Sequence, residues 1–233
     1  MGAIPRQLAA KARDAGARIE TGRAVDGVEA DGDSGGGGRG EDGRGGVTVE
    51  TAGETVEADA AVVATDPPTA REVTGVDAIP TAGRGCVTQY FTTRRHRTFD
   101  TDDRIILNAD GERPNTVAPL STVAPEYAGD GGTLLSATTL GNPDASDEDL
   151  ASDVKAALVS WYPEHRLDDL ELLATDRVEF AQFDQPPGFR DRLPAVDAPA
   201  GAVYLAGDYT QWSSIQGAME SGRVAADAVS TDL

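Results

Sequence analysis

The sequence predicts an α/β (α+β) fold in which an open parallel-sheet unit is interrupted by an inserted unit of antiparallel sheet plus helix. Two observations carry this. Ala60-Ala61-Val62-Val63-Ala64 and Val203-Tyr204-Leu205-Ala206 are unbroken apolar runs, the pattern of short parallel strands buried on both faces. Between them, from about Gly85 to Phe183, candidate strands alternate with turn signals, as in an antiparallel unit. Gln185-Pro186-Pro187-Gly188 marks the return to the first unit. Residues 1–84 and 191–233 therefore read as one discontinuous domain, and residues 85–190 as the insertion.

Along the chain, Pro5 to Ala15 reads as a short helix. Pro5 suits a first turn, Ile4 and Leu8 recur four apart, and Gly16 ends it. Ala17 to Thr21 and Ala24 to Val28 read as strands. From Asp31 to Gly46 the chain is almost wholly Gly, Asp, Glu, Arg and Ser. Its run Gly35-Gly36-Gly37-Gly38 lacks the Lys-Ser/Thr pair and helix of a phosphate loop, so it reads as a flexible hairpin tip. Val47 to Thr51 alternates with period two, as a half-exposed strand does, and after a turn at Gly53 the ribbon continues over Thr55 to Glu57. The Ala60–Ala64 strand stops at Thr65-Asp66-Pro67-Pro68, where two prolines are expected to force an extended turn.

In the insertion, Cys86–Thr93, Arg104–Asn108, Thr116–Val123 and Thr133–Thr139 read as strands. Ser146-Asp147-Glu148-Asp149 resembles a capping box. It opens a helix with Leu150, Val154, Leu158 and Trp161 at helical spacing, ended by Pro163. Leu172 to Phe183 reads as a further strand. Past Val203–Ala206, a Gly207-Asp208 turn leads into a last helix. Ser213 and Gln216 are spaced as its capping box. Gly217, Ser221 and Ala225 share one face, with Ala218, Gly222 and Ala226 beside them.

Composition narrows the function. There are 40 acidic and 20 basic residues, a net charge of −20, and only Lys11 and Lys155 are lysines. Such a balance suits a protein adapted to molar salt, where self-repulsion is screened, and argues against nucleic acid or anionic membrane as partner. Cys86 is the sole cysteine, so no internal disulfide forms, and it reads as a small buried hydrophobe. His96 and His165 are the only histidines and lack metal-ligand spacing; no metal is expected. Arg94-Arg95-His96-Arg97 reads as a solvated cluster. Without a signal peptide or long apolar run, a cytoplasmic location is expected and no transmembrane segment.

The chemistry concentrates after the last strand. A strand ending in Gly-Asp puts a carboxylate at the C-terminal edge of the sheet, where α/β folds bind ligands. Gly207 would admit a ligand close to the backbone, and Asp208 can accept hydrogen bonds from sugar or ribityl hydroxyls. A strand-end aspartate that merely caps a turn is the alternative. The following helix start offers free N–H groups and partial positive charge; a helix packed tightly on the sheet through its small residues is the alternative there. Tyr209, Gln211 and Trp212 are candidates for the substrate side, or for ordinary loop packing.

Leu205-Ala206-Gly207-Asp208, followed by Ser214-Ile215-Gln216-Gly217-Ala218 and Ser221-Gly222-Arg223, resembles the C-terminal flavin-binding signature of the FAD-dependent amine oxidase superfamily, which includes amine oxidases, protoporphyrinogen oxidases and phytoene-type desaturases. Gly16-Ala17-Arg18-Ile19 and Ala58-Asp59-Ala60-Ala61-Val62-Val63-Ala64-Thr65 match that family's upstream segments. The resemblance implies FAD as cofactor. Gly207 and Asp208 would lie against its pyrophosphate and ribityl chain, and Ile215, Gln216, Gly217 and Ala218 by the flavin ring. Val25 would meet the adenine, and Ala64, Thr65 and Pro67 would pass near the adenosine. It implies hydride transfer from an organic substrate to flavin N5. An apolar polyene, isoprenoid or tetrapyrrole is favoured over an amine, since Gly-Asp-Tyr-Thr with Ser-Ile-x-Gly-Ala is closest to the phytoene-desaturase and protoporphyrinogen-oxidase branch.

The departure is the glycine-rich dinucleotide turn: no Gly-x-Gly-x-x-Gly lies between a strand and a helix. The expectation is thus an incomplete FAD-binding Rossmann-like domain whose strands Ala60–Ala64 and Val203–Ala206 lack neighbours. The sources considered are a truncated gene model, a split gene or a domain fragment. The alternative function is a non-catalytic fragment or interaction subunit completed by a separately encoded N-terminal nucleotide-binding half.

Overall fold

A computed structural model describes residues 2–30, 46–94, 99, 101, 104–110, 113–129, 132–165, 167 and 169–233. The glycine run 35–38, together with Arg95, His96 and Arg97, lies outside the described residues. The chain divides into two compact units, residues 1–81 with 186–233, and residues 82–185.

The first unit opens with α1 (Ala3–Asp14), which buries none of its residues and leaves Ile4 and Leu8 49% and 53% exposed. The strand expected over Ala17–Thr21 does not form. This segment has no ladder partner among the described residues, and its Glu20 instead pairs with Arg18 and Arg23. A three-stranded antiparallel ribbon follows: β1 (Val25–Ala30), β2 (Val47–Thr51) and β3 (Glu54–Ala58), in that order. Then come β4 (Ala61–Val63) and α2 (Pro67–Thr74). The two prolines do not make an extended turn as expected; they start a helix. Asp66 is its N-cap and accepts from Thr69 Oγ1 at 2.8 Å, and proline is suited to the first helical positions because its missing N–H would have no partner there. Gly75, at φ +68°, ends α2 in the left-handed region.

In the second unit, β5 (Gly83–Thr93), β6 (Ile106–Leu107) and β7 (Thr116–Ala118) precede a single turn, α3 (Leu120–Val123). The strand expected to run to Val123 therefore stops at Ala118. Pro119, with no N–H to give a ladder, begins the turn. After β8 (Thr133–Leu140), α4 (Asp147–Trp161) and β9 (Glu171–Phe183), the sheet is five-stranded in the order β6-β7-β8-β5-β9. One face of β5 buries Val87, Gln89, Phe91 and Thr93. α4 turns Leu150, Ala151, Val154 and Leu158 inward, and the last three join Phe91, Val117 and Leu135 in one core. Each such aliphatic side chain contributes roughly 1.5–3 kcal/mol by leaving water. Ser146 caps the helix as expected: its Oγ accepts from Asp149 N at 3.0 Å and donates to Asp149 Oδ2 at 2.9 Å.

The chain returns to the first unit with β10 (Val203–Leu205) and ends in α5 (Ile215–Asp232). Among the described residues, no helix is long and apolar enough to cross a membrane.

Candidate functional site

β10 and β4 are parallel and in register, Val203 opposite Ala61, Tyr204 opposite Val62 and Leu205 opposite Val63. The pairing extends through Ala206 N–H, which donates to Val63 O at 2.9 Å. These strands do not lack neighbours, as the sequence had implied; they pair with each other. On its far side β10 is tied by Leu205 N–H to Val196 O at 2.8 Å. β4 has no second ladder partner among the described residues. Burial on both faces holds for β10, whose three residues are all buried, and fails for β4, where Val62 is 45% exposed.

Parallel register brings the two C-terminal strand ends, Ala64-Thr65 and Gly207-Asp208, out at one sheet edge, the place where ligands bind in α/β proteins. Ala64 and Thr65 are exposed there, while Pro67 is buried at the start of α2. Asp208 is half-buried and accepts from Ser213 Oγ at 2.9 Å; its other carboxylate oxygen has no partner among the described residues. Thr210 Oγ1 donates to Gly207 O at 3.0 Å and tightens the same turn.

At Gly207 and Gly217 the chain itself comes close. A Cβ on Gly207 would come within 2.1 Å of Tyr209 Cε1, and one on Gly217 within 1.9 Å of the Trp212 carbonyl oxygen. Gly207 is in extended backbone, at φ 170°, so the Tyr209 ring, not a special dihedral, demands the glycine. α5 likewise buries Gly217, Ser221 and Ala225; this small face packs inward. The face left to solvent carries Ile215, Ala218, Met219 and Gly222, with Gln216 also exposed.

The cap differs too. Ser214 Oγ, not Ser213, accepts from Gly217 N at 2.9 Å, which frees Ser213 for Asp208. The N–H groups of Ile215 and Gln216 stay without an intrahelical partner, as at any helix start.

Tyr209, a candidate for the substrate side or for loop packing, is fully buried, and its hydroxyl has no hydrogen-bond partner among the described residues. Burial first, and then the charges of Asp208 and Asp66, push its pKa up to about 12. Gln211 and Trp212 are half-buried. Val25 sits 47% exposed at the start of β1. The opposite end of that strand, Ala30, lies by Gly201. The structure therefore assembles Ala64, Thr65, Gly207, Asp208 and the first turn of α5. It gives no contact that draws Val25 into the group.

One residue escaped sequence reasoning. Arg190, in the 3-10 turn Phe189–Arg192, places its guanidinium carbon 5.9 Å from the centroid of the Trp212 ring and 6.0 Å from that of Phe189. No motif announces it, because Arg190 and Trp212 meet only in the fold.

Residues 1–230 match the model of a family described as flavin containing amine oxidoreductase. No curated protein matches the chain in sequence. The fold is similar to that of a protein designated protoporphyrinogen oxidase from Exiguobacterium sp. 255-15, with a TM-score of 0.74 at 14% identity over 98% of this chain and 51% of that one. An oxidoreductase from Methanosarcina mazei superposes with a TM-score of 0.58 at 15% identity, over 88% of this chain and 48% of that one. For cyclohexylamine oxidase from Brevibacterium oxydans IH-35A the TM-score is 0.52 at 16% identity, over 80% of this chain and 46% of that one. At these identities the likeness is one of fold, and the chain spans about half the length of each structure.

Proposed function

The chain belongs to the flavin containing amine oxidoreductase family, and from that premise we propose that the edge formed by β4, β10 and α5 holds part of an FAD in an FAD-dependent oxidoreductase. The observation that carries the reading is the convergence of Ala64-Thr65, Gly207-Asp208 and the start of α5 at one end of a parallel sheet. The groups present fit a flavin. Asp208 has a carboxylate oxygen free of described partners to accept from a ribityl hydroxyl. Ile215 and Gln216 offer unpaired N–H groups and the positive end of an 18-residue helix to a ring edge that gains negative charge. Ala218 and Gly222 keep the exposed face of α5 low enough for a flat ring. Gly207 and Gly217 act indirectly, by allowing Tyr209 and Trp212 to fold onto the turn.

Bound there, the flavin would supply the two-electron acceptor for oxidation of an organic substrate. The chain's part is to hold and orient it. Ser213 fixes the Asp208 carboxylate, and Ser214 sets the start of α5. Residues 82–185 serve as the substrate domain in this reading. An apolar polyene, isoprenoid or tetrapyrrole is favoured over a small amine, supported by the Gly-Asp-Tyr-Thr and Ser-Ile-Gln-Gly-Ala residues. The net charge of −20 supports work at high salt, and we place the protein in the cytoplasm.

The first unit also favours completion by a nucleotide-binding half. Val62, Ile215 and Met219 are 45%, 62% and 53% exposed, and a parallel sheet is ordinarily covered on both faces by further elements.

The test is FAD titration followed by flavin fluorescence, with the chain alone and with a nucleotide-binding half supplied. Asp208→Ala removes a hydrogen bond to a charged group, worth about 1.5–3 kcal/mol, so binding should weaken by roughly tenfold or more while the circular dichroism spectrum is kept. Equal affinity in the variant, or no binding by the wild-type chain in either format, would overturn the reading.

A further inference from the structure

We infer that the second unit carries a ligand site of its own, apart from the flavin edge, which takes a neutral polyhydroxyl molecule of the hexose class. The inference does not rest on the flavin reading, since every residue it uses lies within residues 82–185.

A cavity of about 560 Å³ opens between α4 and the β6–β7 hairpin, within the roughly 300–1,000 Å³ of small-molecule sites. One wall is a single face of α4, because residues three and four apart on a helix are neighbours. On that face Ala156 and Ala157 form a low apolar floor, with Asp153 towards one end and Ser160 and Trp161 towards the other. Trp161 also packs against the core, which fixes its ring. The other wall is the hairpin loop, with Asp110 and Arg113. Asn108 shapes this loop: its Oδ1 accepts from Asp110 N at 3.2 Å, and its Nδ2 donates to Pro114 O at 3.1 Å. Arg113 Nε stands 3.8 Å from Asp153 Oδ2, so an ion pair links the two walls at a distance too long for a direct hydrogen bond.

The polar groups around this cavity are mixed in kind. The Asp110 and Asp153 carboxylates only accept hydrogen bonds, the Arg113 guanidinium and the Trp161 indole N–H only donate, and the Ser160 hydroxyl does both. A molecule with several hydroxyls can answer all of them, because each hydroxyl both gives and accepts. The alanine floor and the indole suit the C–H faces of a sugar ring. An anion would meet two carboxylates in a chain of net charge −20. An ammonium has no acceptor and would leave the Arg113 and Trp161 donors unused. An apolar molecule would desolvate three charges and return no hydrogen bond, so the cavity does not suit the apolar substrate favoured for the flavin edge. It is a second site.

The experiment uses the full chain at fixed ionic strength and saturation-transfer difference NMR. The probes are glucose, glucosamine and glucuronate, one ring in a neutral, a cationic and an anionic form. The wild-type chain should bind glucose more tightly than either charged form. Asp110→Ala removes a charged hydrogen-bond acceptor and should weaken glucose binding by about tenfold. Ala156→Trp, at an exposed helix position, should fill the cavity and abolish the glucose signal while the circular dichroism spectrum is kept. Should that variant fail to fold, Asp110→Ala in the exposed loop decides alone. Tighter binding of glucosamine would make this a cation site, and tighter binding of glucuronate an anion site; either overturns the proposal. A glucose signal unchanged in both variants would place the sugar elsewhere and overturn it, as would no signal in the wild type. FAD affinity, measured on the same proteins, should not respond to either substitution. Failure of the chain to bind FAD would defeat the flavin reading and leave the glucose comparison standing.

Discussion

The ring of Tyr209 lies across Gly207 so closely that a Cβ at position 207 would sit 2.1 Å from Tyr209 Cε1. Tyr209 is fully buried, so the ring has no room to retreat. Gly207→Ala is expected to destabilise the first unit by about 1–3 kcal/mol through overpacking, read as a lower urea midpoint. An unchanged midpoint would show that the ring can move aside.

Removing the Tyr209 hydroxyl should act in the opposite direction. The group is buried without a partner among the described residues, which costs about 1–3 kcal/mol. Tyr209→Phe keeps the ring and is expected to raise stability by about 1 kcal/mol in urea unfolding. A loss of stability would reveal a partner for the hydroxyl.

The same residue sets a pH dependence. The folded-state pKa of Tyr209 is about 12, against an ordinary 10.0, chiefly because burial disfavours the phenolate. A raised folded value means the folded protein holds the proton more tightly than the unfolded chain. The contribution is complete below pH 10 and is lost as pH rises from about 10 to about 12. The stability difference between wild type and Tyr209→Phe should therefore widen in the variant's favour over that window. A difference independent of pH would contradict the assignment.

Ser214 caps α5 through Gly217 N at 2.9 Å. Ser214→Ala should cost about 1 kcal/mol, whereas Ser213→Ala should cost less stability and weaken flavin binding by releasing Asp208. Paired urea and FAD titrations separate the two serines. Reversed effects would place the cap at Ser213.

Much of the fold was legible because local signals agreed with tertiary demand. Val47–Thr51 alternates and pairs on both edges, with β1 and β3. In α4, Ser146 and the spacing of Leu150, Val154 and Leu158 point to the same helix that the core requires. Pro67 and Pro68 misled because the same two residues can stop a strand or start a helix; the Asp66 cap decided it. The cap expected at Ser213 falls instead on its neighbour Ser214, whose Oγ accepts from Gly217 N. That Tyr209 and Trp212 close on Gly207 and Gly217 is visible only in the fold, because no sequence signal says which side chain or carbonyl turns back onto a glycine. Arg190 could not be found from sequence, because its contact with Trp212 spans two loops that only the fold brings together.

The most direct test of the flavin site is backbone hydrogen exchange with and without FAD, on the chain with a nucleotide-binding half supplied. The account predicts that FAD slows exchange within residues 207–219, and does so less in Asp208→Ala. Protection confined to the 82–185 unit, or no protection of residues 207–219 at saturating FAD, would contradict it.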